Sequence, residues 1–311
     1  HITRGHMLFV REKKVDCGDY REVDIIPRTE EAEKAVKGRR RKKQRESPPK
    51  QRELNSKNAR RYLEKLANGN FFSGDLHVSL TYDADHLPKT REEAEKEVKK
   101  YLNKVSYRRE KLGLEPLKYI LVTEGGTDKD GNLKRIHHHI LINGGPGNFR
   151  DDVELLWTRA RINWKRAEED EEYRAEIEKK SIGYRNADRI QAGDNGISDL
   201  ANYIAKDPSG KKRWSSSRNL ELPVIRKPND TKYTKSKVER LVTSPDSGRE
   251  YFEKQYPAYK ITEISPVYYE ETGWHVYLKM WKKKRTPRKK LLKHKRKRTR
   301  HRTAKTRGGA K

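Results

Sequence analysis

The chain has 311 residues, of which 75 are Lys or Arg and 46 are Asp or Glu, so its formal net charge at pH 7 is +29. This length suits one large domain with appendages or two small domains. No stretch is apolar over the length that a membrane-spanning helix needs, which argues against a membrane partner, and the excess of positive charge favours nucleic acid.

The N-terminus and the single cysteine predict where the protein acts. The first residues lack the apolar stretch of a signal peptide, and we exclude residues 1–6, which precede Met7, from the fold prediction. Cys17 is the only cysteine, so no internal disulfide can form and a reducing compartment is expected. We therefore expect a cytoplasmic protein.

The first half of the chain alternates between predicted strands and predicted amphipathic helices. The basic block Lys37–Arg45 interrupts them and is typical of a segment that becomes ordered only on a partner. The predicted elements are strands within residues 8–26, a helix over 51–67, a half-buried strand over 71–82, and a helix from Thr90 to Leu112 with Thr90 as N-cap and Gly113 as C-cap.

The second half begins with two strands joined by a turn rich in Gly and Asp, which is typical of a hairpin. These strands are Leu117–Glu124 and Arg135–Asn143. The elements predicted after them are a charged helix from Asp151 to about Lys180, a strand near 184–191, a short helix over 197–206, a strand over 211–218, helices over 236–242 and 248–256, and hairpin strands over 259–267 and 274–281.

This order of elements predicts an α+β fold, in which an antiparallel five-stranded sheet carries flanking helices. The predicted domains are a partly disordered basic N-terminal extension over 1–49, a main domain over 50–225, a small α/β extension over 226–281, and a basic disordered tail over 282–311. The tail holds 17 Lys and Arg and no acidic residue. It is expected to grip phosphates without reading sequence, and a pure solubility role is the alternative.

The strand Arg135–Asn143 carries the most informative pattern in the chain. Side chains alternate between the faces of a strand, so His137 and His139 point the same way and His138 points the other way. The hairpin brings Glu124 back beside them. Two imidazoles and one carboxylate are a donor set for a divalent metal ion. The alternatives are polar residues on a solvated strand or an adventitious metal-binding tract.

A metal ion on a strand of a basic protein suggests phosphoryl transfer, which needs a nucleophile. Tyr203 is the candidate, and Lys206 lies on the same face of the short helix, three residues further on. Lys206 would stabilise the phenolate or hold a non-bridging phosphate oxygen. The alternative is that Tyr203 packs in the core and Lys206 extends to water.

Three ordered motifs resemble those of the HUH endonucleases, in particular the rolling-circle replication initiators (Rep proteins) of bacterial plasmids and single-stranded DNA phages. The motifs are Leu80-Thr-Tyr82, Glu124 with Arg135-Ile-His-His-His139, and Tyr203-Ile-Ala-Lys206. The resemblance covers roughly residues 50–225, and Trp214–Leu220 is also similar to the Rep branch. Two positions depart from the pattern: His138 replaces a hydrophobic residue, and Asp207 stands where two-tyrosine members have their second tyrosine.

The resemblance implies an HUH endonuclease domain over 50–225 that binds Mg²⁺ or Mn²⁺ through Glu124, His137 and His139. Tyr203 would attack single-stranded origin DNA, leaving a 5′-phosphotyrosine and a 3′-OH from which a host DNA polymerase extends. A host helicase is implied because no Gly-x-x-x-x-Gly-Lys-Ser/Thr loop occurs. The expected location is then the bacterial cytoplasm. Candidate DNA-binding residues are Arg135, Lys211, Lys212, Arg213 and Arg218.

The sequence leaves other functions open. A relaxase or single-strand transposase would use the same chemistry, although a tyrosine after the histidines favours a Rep protein or a transposase. A basic nucleic-acid-binding protein without catalysis would have structural or zinc-binding histidines. A histidine-triad hydrolase needs a third alternating histidine, which the sequence lacks.

Two further features are weighed against plain structural roles. His77 lies on the polar face of its predicted strand and could approach the metal ion, but a surface histidine is the favoured interpretation. Trp157 and Trp164 lie seven residues apart on one predicted helix, and core packing is favoured over base stacking.

Overall fold

The structure, a computed structural model, describes residues 8–30, 49–127, 133–194, 196–204 and 214–283. The basic block Lys37–Arg45 and nearly all of the predicted tail lie outside these ranges. Within the described residues, no helix is long and apolar enough to cross a membrane.

The strands of the described residues are β1 (Leu8–Cys17), β2 (Tyr20–Thr29), β3 (Leu76–Leu80), β4 (Tyr119–Thr127), β5 (Leu133–Ile142), β6 (Arg185–Arg189), β7 (Ser215–Ser216), β8 (Val224–Ile225), β9 (Asn229–Tyr233), β10 (Tyr259–Tyr269) and β11 (Gly273–Lys282). The helices are α1 (Pro49–Asn70), α2 (Arg91–Lys111), α3 (Phe149–Leu155), α4 (Trp164–Glu169), α5 (Glu171–Lys179), α6 (Ser198–Ile204), α7 (Lys235–Val242) and α8 (Arg249–Gln255). A short 3₁₀ turn spans Ala84–His86.

Five of the strands form an antiparallel sheet in the order β6-β3-β5-β4-β7, which confirms the predicted fold class. Strand β5 is central, because β3 pairs with one of its edges and β4 with the other. The predicted cap of α2 is also confirmed, since the Thr90 side chain accepts a hydrogen bond from the Glu93 amide.

Helices cover both faces of this five-stranded sheet. On one face, Val78 and Ile140 belong to a core that includes residues of α2 and α3. On the other face, Val122 and Leu141 belong to a core that includes residues of α1 and α6. We call these the closed face and the site face of β5, because His138 points to the first while His137 and His139 point to the second.

The single charged helix predicted over Asp151–Lys180 is wrong, because three short helices occupy this range. After α3, Thr158 forms an isolated bridge with Ser181 and donates its hydroxyl hydrogen bond to the Lys180 carbonyl, which draws the chain out of helical geometry. Asn163 and Asp170 then start new helices, since each side chain accepts a hydrogen bond from an amide of the following turn.

The remaining strands form a second, six-stranded sheet in the order β10-β11-β2-β1-β8, with β9 also paired to β1. The strands of residues 8–29 therefore share one sheet with those of the predicted 226–281 extension, through the pairing of β2 with β11. The predicted boundaries at 49, 225 and 281 stay a prediction, but this pairing brings the first and last described strands together. A core that includes residues of α7 and α8 covers one face of the sheet.

Helix α1 lies between the two sheets and contacts both. Leu63 and Leu66 are buried in the core on the site face of the five-stranded sheet. On its opposite side, Arg61 forms ion pairs with Glu22 and Asp24 of β2. The helix thus joins an apolar contact with one sheet to a charged contact with the other.

Candidate metal and tyrosine site

The two strands of the predicted hairpin bring the three predicted ligand residues together. In the register of β4 and β5, Glu124 lies opposite His137 and Val122 lies opposite His139. Partners in an antiparallel pair share a face of the sheet, so all three polar side chains point to the site face. Each offers one ligand atom, and these atoms all lie within 4.8 Å of one another. Glu124, His137 and His139 could therefore hold a metal ion.

The hydrogen bonds of His137 test whether a cation fits. Its Nδ1 lies 3.2 Å from the Arg135 carbonyl oxygen, which can only accept, so Nδ1 carries the proton of the neutral ring. Its Nε2 lone pair then faces the Glu124 Oε2, 3.1 Å away. Two acceptors in contact need a proton or a cation between them. Their spacing also suits neighbouring ligands of one ion, each at about 2.1 Å from it.

His139 is buried beside this pair, and burial lowers its pKa to about 4, with repulsion from protonated His77 and His137 adding to the effect. Its ring is therefore neutral at pH 7, which is the form that binds a metal ion. Its Nδ1 lies 3.2 Å from His77 Nε2 and 3.4 Å from Ser79 Oγ. Nε2 is the nitrogen of His139 that these neighbours leave for a ligand role.

Helix α6 packs on the site face and carries Tyr203 to the cluster. The Tyr203 ring centroid lies 5.5 Å from that of His139, with an angle of 76° between the ring planes. The Tyr203 side chain is 59% exposed, so a ligand larger than water can reach it. The structure thus brings together four of the predicted site residues. Lys206 lies outside the described residues.

His138 has a different environment on the closed face. It is fully buried, with Tyr82 Oη 2.8 Å from its Nε2 and Thr123 Oγ1 2.9 Å from its Nδ1. One ring nitrogen donates and the other accepts in such an arrangement, so the neutral ring is satisfied by protein groups alone. Burial lowers the pKa of His138 to about 3. This side chain is a core histidine with no free nitrogen for a metal ion.

The predicted DNA-binding residues have mixed outcomes as placements. The Arg135 guanidinium donates a hydrogen bond to the Tyr82 carbonyl oxygen, and Arg218 is exposed after β7. Lys211, Lys212 and Arg213 lie outside the described residues. Trp157 is buried and donates its indole hydrogen bond to the Thr81 carbonyl oxygen, as core packing predicts.

The sequence-based interpretation of His77 as a surface histidine is wrong. His77 is half-buried on the site face, and its ring stacks on His139 with centroids 5.3 Å apart. Burial lowers its pKa, while the charge of Asp188 opposes the shift. The alternation along β3 was the available signal, because it sets His77 and Ser79 on the same face. The pairing of β3 with β5, which no local pattern gives, was also needed.

Comparison with known proteins supports the resemblance seen in the sequence. Residues 75–208 match the model of a replication-associated protein family, the ORF2 type. This segment includes β3 to β6, all four clustered site residues and α6. The match confirms the similarity to Rep proteins and supports a role in DNA replication of the rolling-circle type. No curated protein and no solved structure gives a significant match.

Proposed function

We propose that this chain, residues 75–208 of which match the replication-associated protein family of the ORF2 type, nicks and rejoins single-stranded DNA through a covalent 5′-phosphotyrosine. In this role it would initiate rolling-circle replication of a plasmid or phage in the bacterial cytoplasm. The observation that carries the proposal is the position of Tyr203, an exposed phenol against the Glu124, His137 and His139 cluster.

The cluster supplies the electrophilic part of the proposed site. Glu124, His137 and His139 would hold Mg²⁺ or Mn²⁺, which draws negative charge from a scissile phosphate when bound. The excess of 29 positive charges on the chain would attract the DNA backbone to this site without reading its sequence.

Tyr203 supplies the nucleophile of the proposed reaction. Its phenol oxygen forms a bond to phosphorus and loses its proton, while the bond from phosphorus to the 3′ oxygen breaks and that oxygen takes up a proton. The products are a 5′-phosphotyrosine on the chain and a free 3′-OH, from which a host polymerase extends with a host helicase ahead of it. Lys206 would stabilise the phenolate or hold a non-bridging oxygen.

Rejoining reverses the same exchange. A 3′-OH attacks the phosphotyrosine, the phosphodiester bond forms again, and Tyr203 leaves as the phenol. The covalent link conserves the energy of the broken bond, so this step needs no ATP. Asp207 stands where a second tyrosine would serve a second cleavage, so we expect that cleavage to involve another copy of the chain.

The test is to incubate the chain with labelled single-stranded DNA from its own replicon, in Mn²⁺ or in EDTA. We expect a protein–DNA adduct that survives boiling in detergent, forms only with the metal ion and is lost in Tyr203→Phe. The matched control is Tyr107→Phe, because Tyr107 is 56% exposed but lies on α2, which covers the closed face.

Two results would contradict the proposal. An adduct formed by Tyr203→Phe would rule out Tyr203 as the nucleophile. Metal-independent DNA binding with no adduct would instead favour a basic nucleic-acid-binding protein without catalysis. Adducts that form on transposon ends rather than on a replication origin would identify a single-strand transposase with the same chemistry.

A further inference from the structure

A histidine that the proposed reaction does not use lies directly behind His139. His77 sits on β3, diagonal to His139 on β5, because Ser79 is the residue that pairs with His139. The Nε2 of His77 lies 3.2 Å from the Nδ1 of His139, and the two rings are within 19° of parallel. The distance is that of a hydrogen bond between two ring nitrogens, which requires one proton between them.

The position of that proton decides which nitrogen of His139 can bind a metal ion. If His77 donated it, the neutral His139 ring would carry its own proton on Nε2 and would have no lone pair there. If His139 donates it from Nδ1, the lone pair lies on Nε2. Because Nδ1 is already blocked by His77 and Ser79, only the second arrangement leaves His139 with a nitrogen for the ion.

His137 shows the same arrangement with a different acceptor. Its Nδ1 donates to the Arg135 carbonyl oxygen, and its Nε2 faces Glu124. Each ligand imidazole is thus fixed at Nδ1 by an acceptor behind it. For His137 the acceptor is backbone, which no side-chain substitution removes, and for His139 it is a side chain.

We propose that His77 is a positioning residue, which accepts the Nδ1 proton of His139 and so holds that ring with Nε2 toward the metal ion. This inference rests on the metal site of the proposed function. Groups that orient ligand imidazoles in this way typically contribute about 10-fold to 100-fold to metal affinity.

The experiment measures Mn²⁺ affinity of the full chain by calorimetry, without DNA, for wild type, His77→Phe and His77→Gln. Phe keeps a flat ring against His139 but cannot accept a proton, so we expect Mn²⁺ to bind about 10-fold to 100-fold more weakly. Gln offers a carbonyl oxygen as acceptor and should retain most of the affinity. At saturating Mn²⁺, His77→Phe should recover the wild-type yield of the DNA adduct.

Two control variants separate positioning from general damage. His275→Phe changes a half-buried histidine of the six-stranded sheet, whose partners are Thr272 and Tyr277, and should leave Mn²⁺ affinity unchanged. Ser79→Ala removes the second neighbour of His139 Nδ1 and should have little effect, because at 3.4 Å it is the longer contact. Thermal unfolding in EDTA should be similar for all variants.

Three results would overturn the inference. Equal affinity in wild type and His77→Phe would do so while leaving the proposed function intact, and loss in Ser79→Ala alone would assign the acceptor role to Ser79. A changed visible spectrum of saturating Co²⁺ in His77→Phe would make His77 a ligand rather than a positioning residue. If wild type itself bound no Mn²⁺, the metal site of the proposed function would fall together with this inference.

Discussion

On β5, His138 points to the closed face of the sheet and its two neighbours point to the site face, so three consecutive imidazoles have contrasting surroundings. Both nitrogens of His138 contact hydroxyl groups of the protein, and the ring is fully buried. On the site face, His137 and His139 each have Nδ1 engaged, and their Nε2 atoms are left for a ligand.

The comparison shows that the partners of an imidazole, more than the residue type, determine what it does. A histidine whose two nitrogens are satisfied by protein groups contributes to the stability of the core. A histidine whose second nitrogen faces a carboxylate contributes little to stability and provides a ligand for a cation. Substitutions on the two faces should therefore separate activity from stability.

The largest effect is expected on the site face. His137→Ala removes one of three ligands, and we expect the rate of adduct formation with labelled single-stranded DNA to fall about 10³-fold, because charge stabilisation by a bound ion is worth several kcal/mol. Since His137 is only half-buried, the free energy of unfolding should change by less than about 0.5 kcal/mol. Urea unfolding in EDTA measures the second quantity.

His275→Ala in the other sheet is the control for this variant and should keep the wild-type rate. A His137→Ala chain that formed the adduct at full rate would remove the functional distinction between the two faces.

The next effect is the pH dependence of stability from the closed face. The folded pKa of His138 is about 3, below its unfolded value of about 6.5, so the unfolded chain takes up a proton that the folded chain does not. The contribution is complete above pH 6.5 and is lost as pH falls toward 3, by about 1.4 kcal/mol per pH unit. Urea unfolding of wild type and His138→Leu between pH 7 and pH 4 tests this.

The Leu variant should show the flatter curve, although His77 and His139 still contribute a dependence of the same sign. EDTA in the buffer keeps metal release out of the comparison. Parallel curves for the two proteins would mean that His138 is not held neutral by burial.

At pH 7 the same His138→Leu substitution should lower the free energy of unfolding by about 1–3 kcal/mol, because Thr123 Oγ1 loses its partner inside the core. Mn²⁺ affinity should remain within about threefold of wild type, since the ring is not a ligand and faces away from the ions that the site face binds. Calorimetry measures both quantities. A large loss of Mn²⁺ affinity with no loss of stability would reverse the roles of the two faces.

The smallest effect is expected from Tyr82→Phe, which removes the hydroxyl that contacts His138 and should cost about 1 kcal/mol of stability. In a double-mutant cycle with His138→Leu, the two losses should not add, because they remove the same hydrogen bond. Tyr233→Phe, a buried tyrosine of the six-stranded sheet, should add fully to His138→Leu. Full additivity for Tyr82 as well would show that its contact with His138 contributes nothing.

Local patterns in the sequence predicted most elements of the five-stranded sheet, but they failed where distant contacts decide. The hairpin of β4 and β5 and the capped start of α2 follow from turn residues, alternation and one threonine side chain. The break after α3 depends on the bridge between Thr158 and Ser181, which are 23 positions apart. The six-stranded sheet joins β2 to β11 across almost the whole chain, which periodicity cannot predict.

The sequence by itself determined that His137 and His139 share a face and that Glu124 returns to them, because a strand has a period of two and a short turn fixes the register. Only the tertiary structure decided that α6 carries Tyr203 to that face, that Tyr82 and Thr123 enclose His138, and that His77 lies behind His139. The physical reason is that alternation gives the direction of a side chain, whereas its partner is chosen by strand pairing and helix packing between residues far apart in the chain.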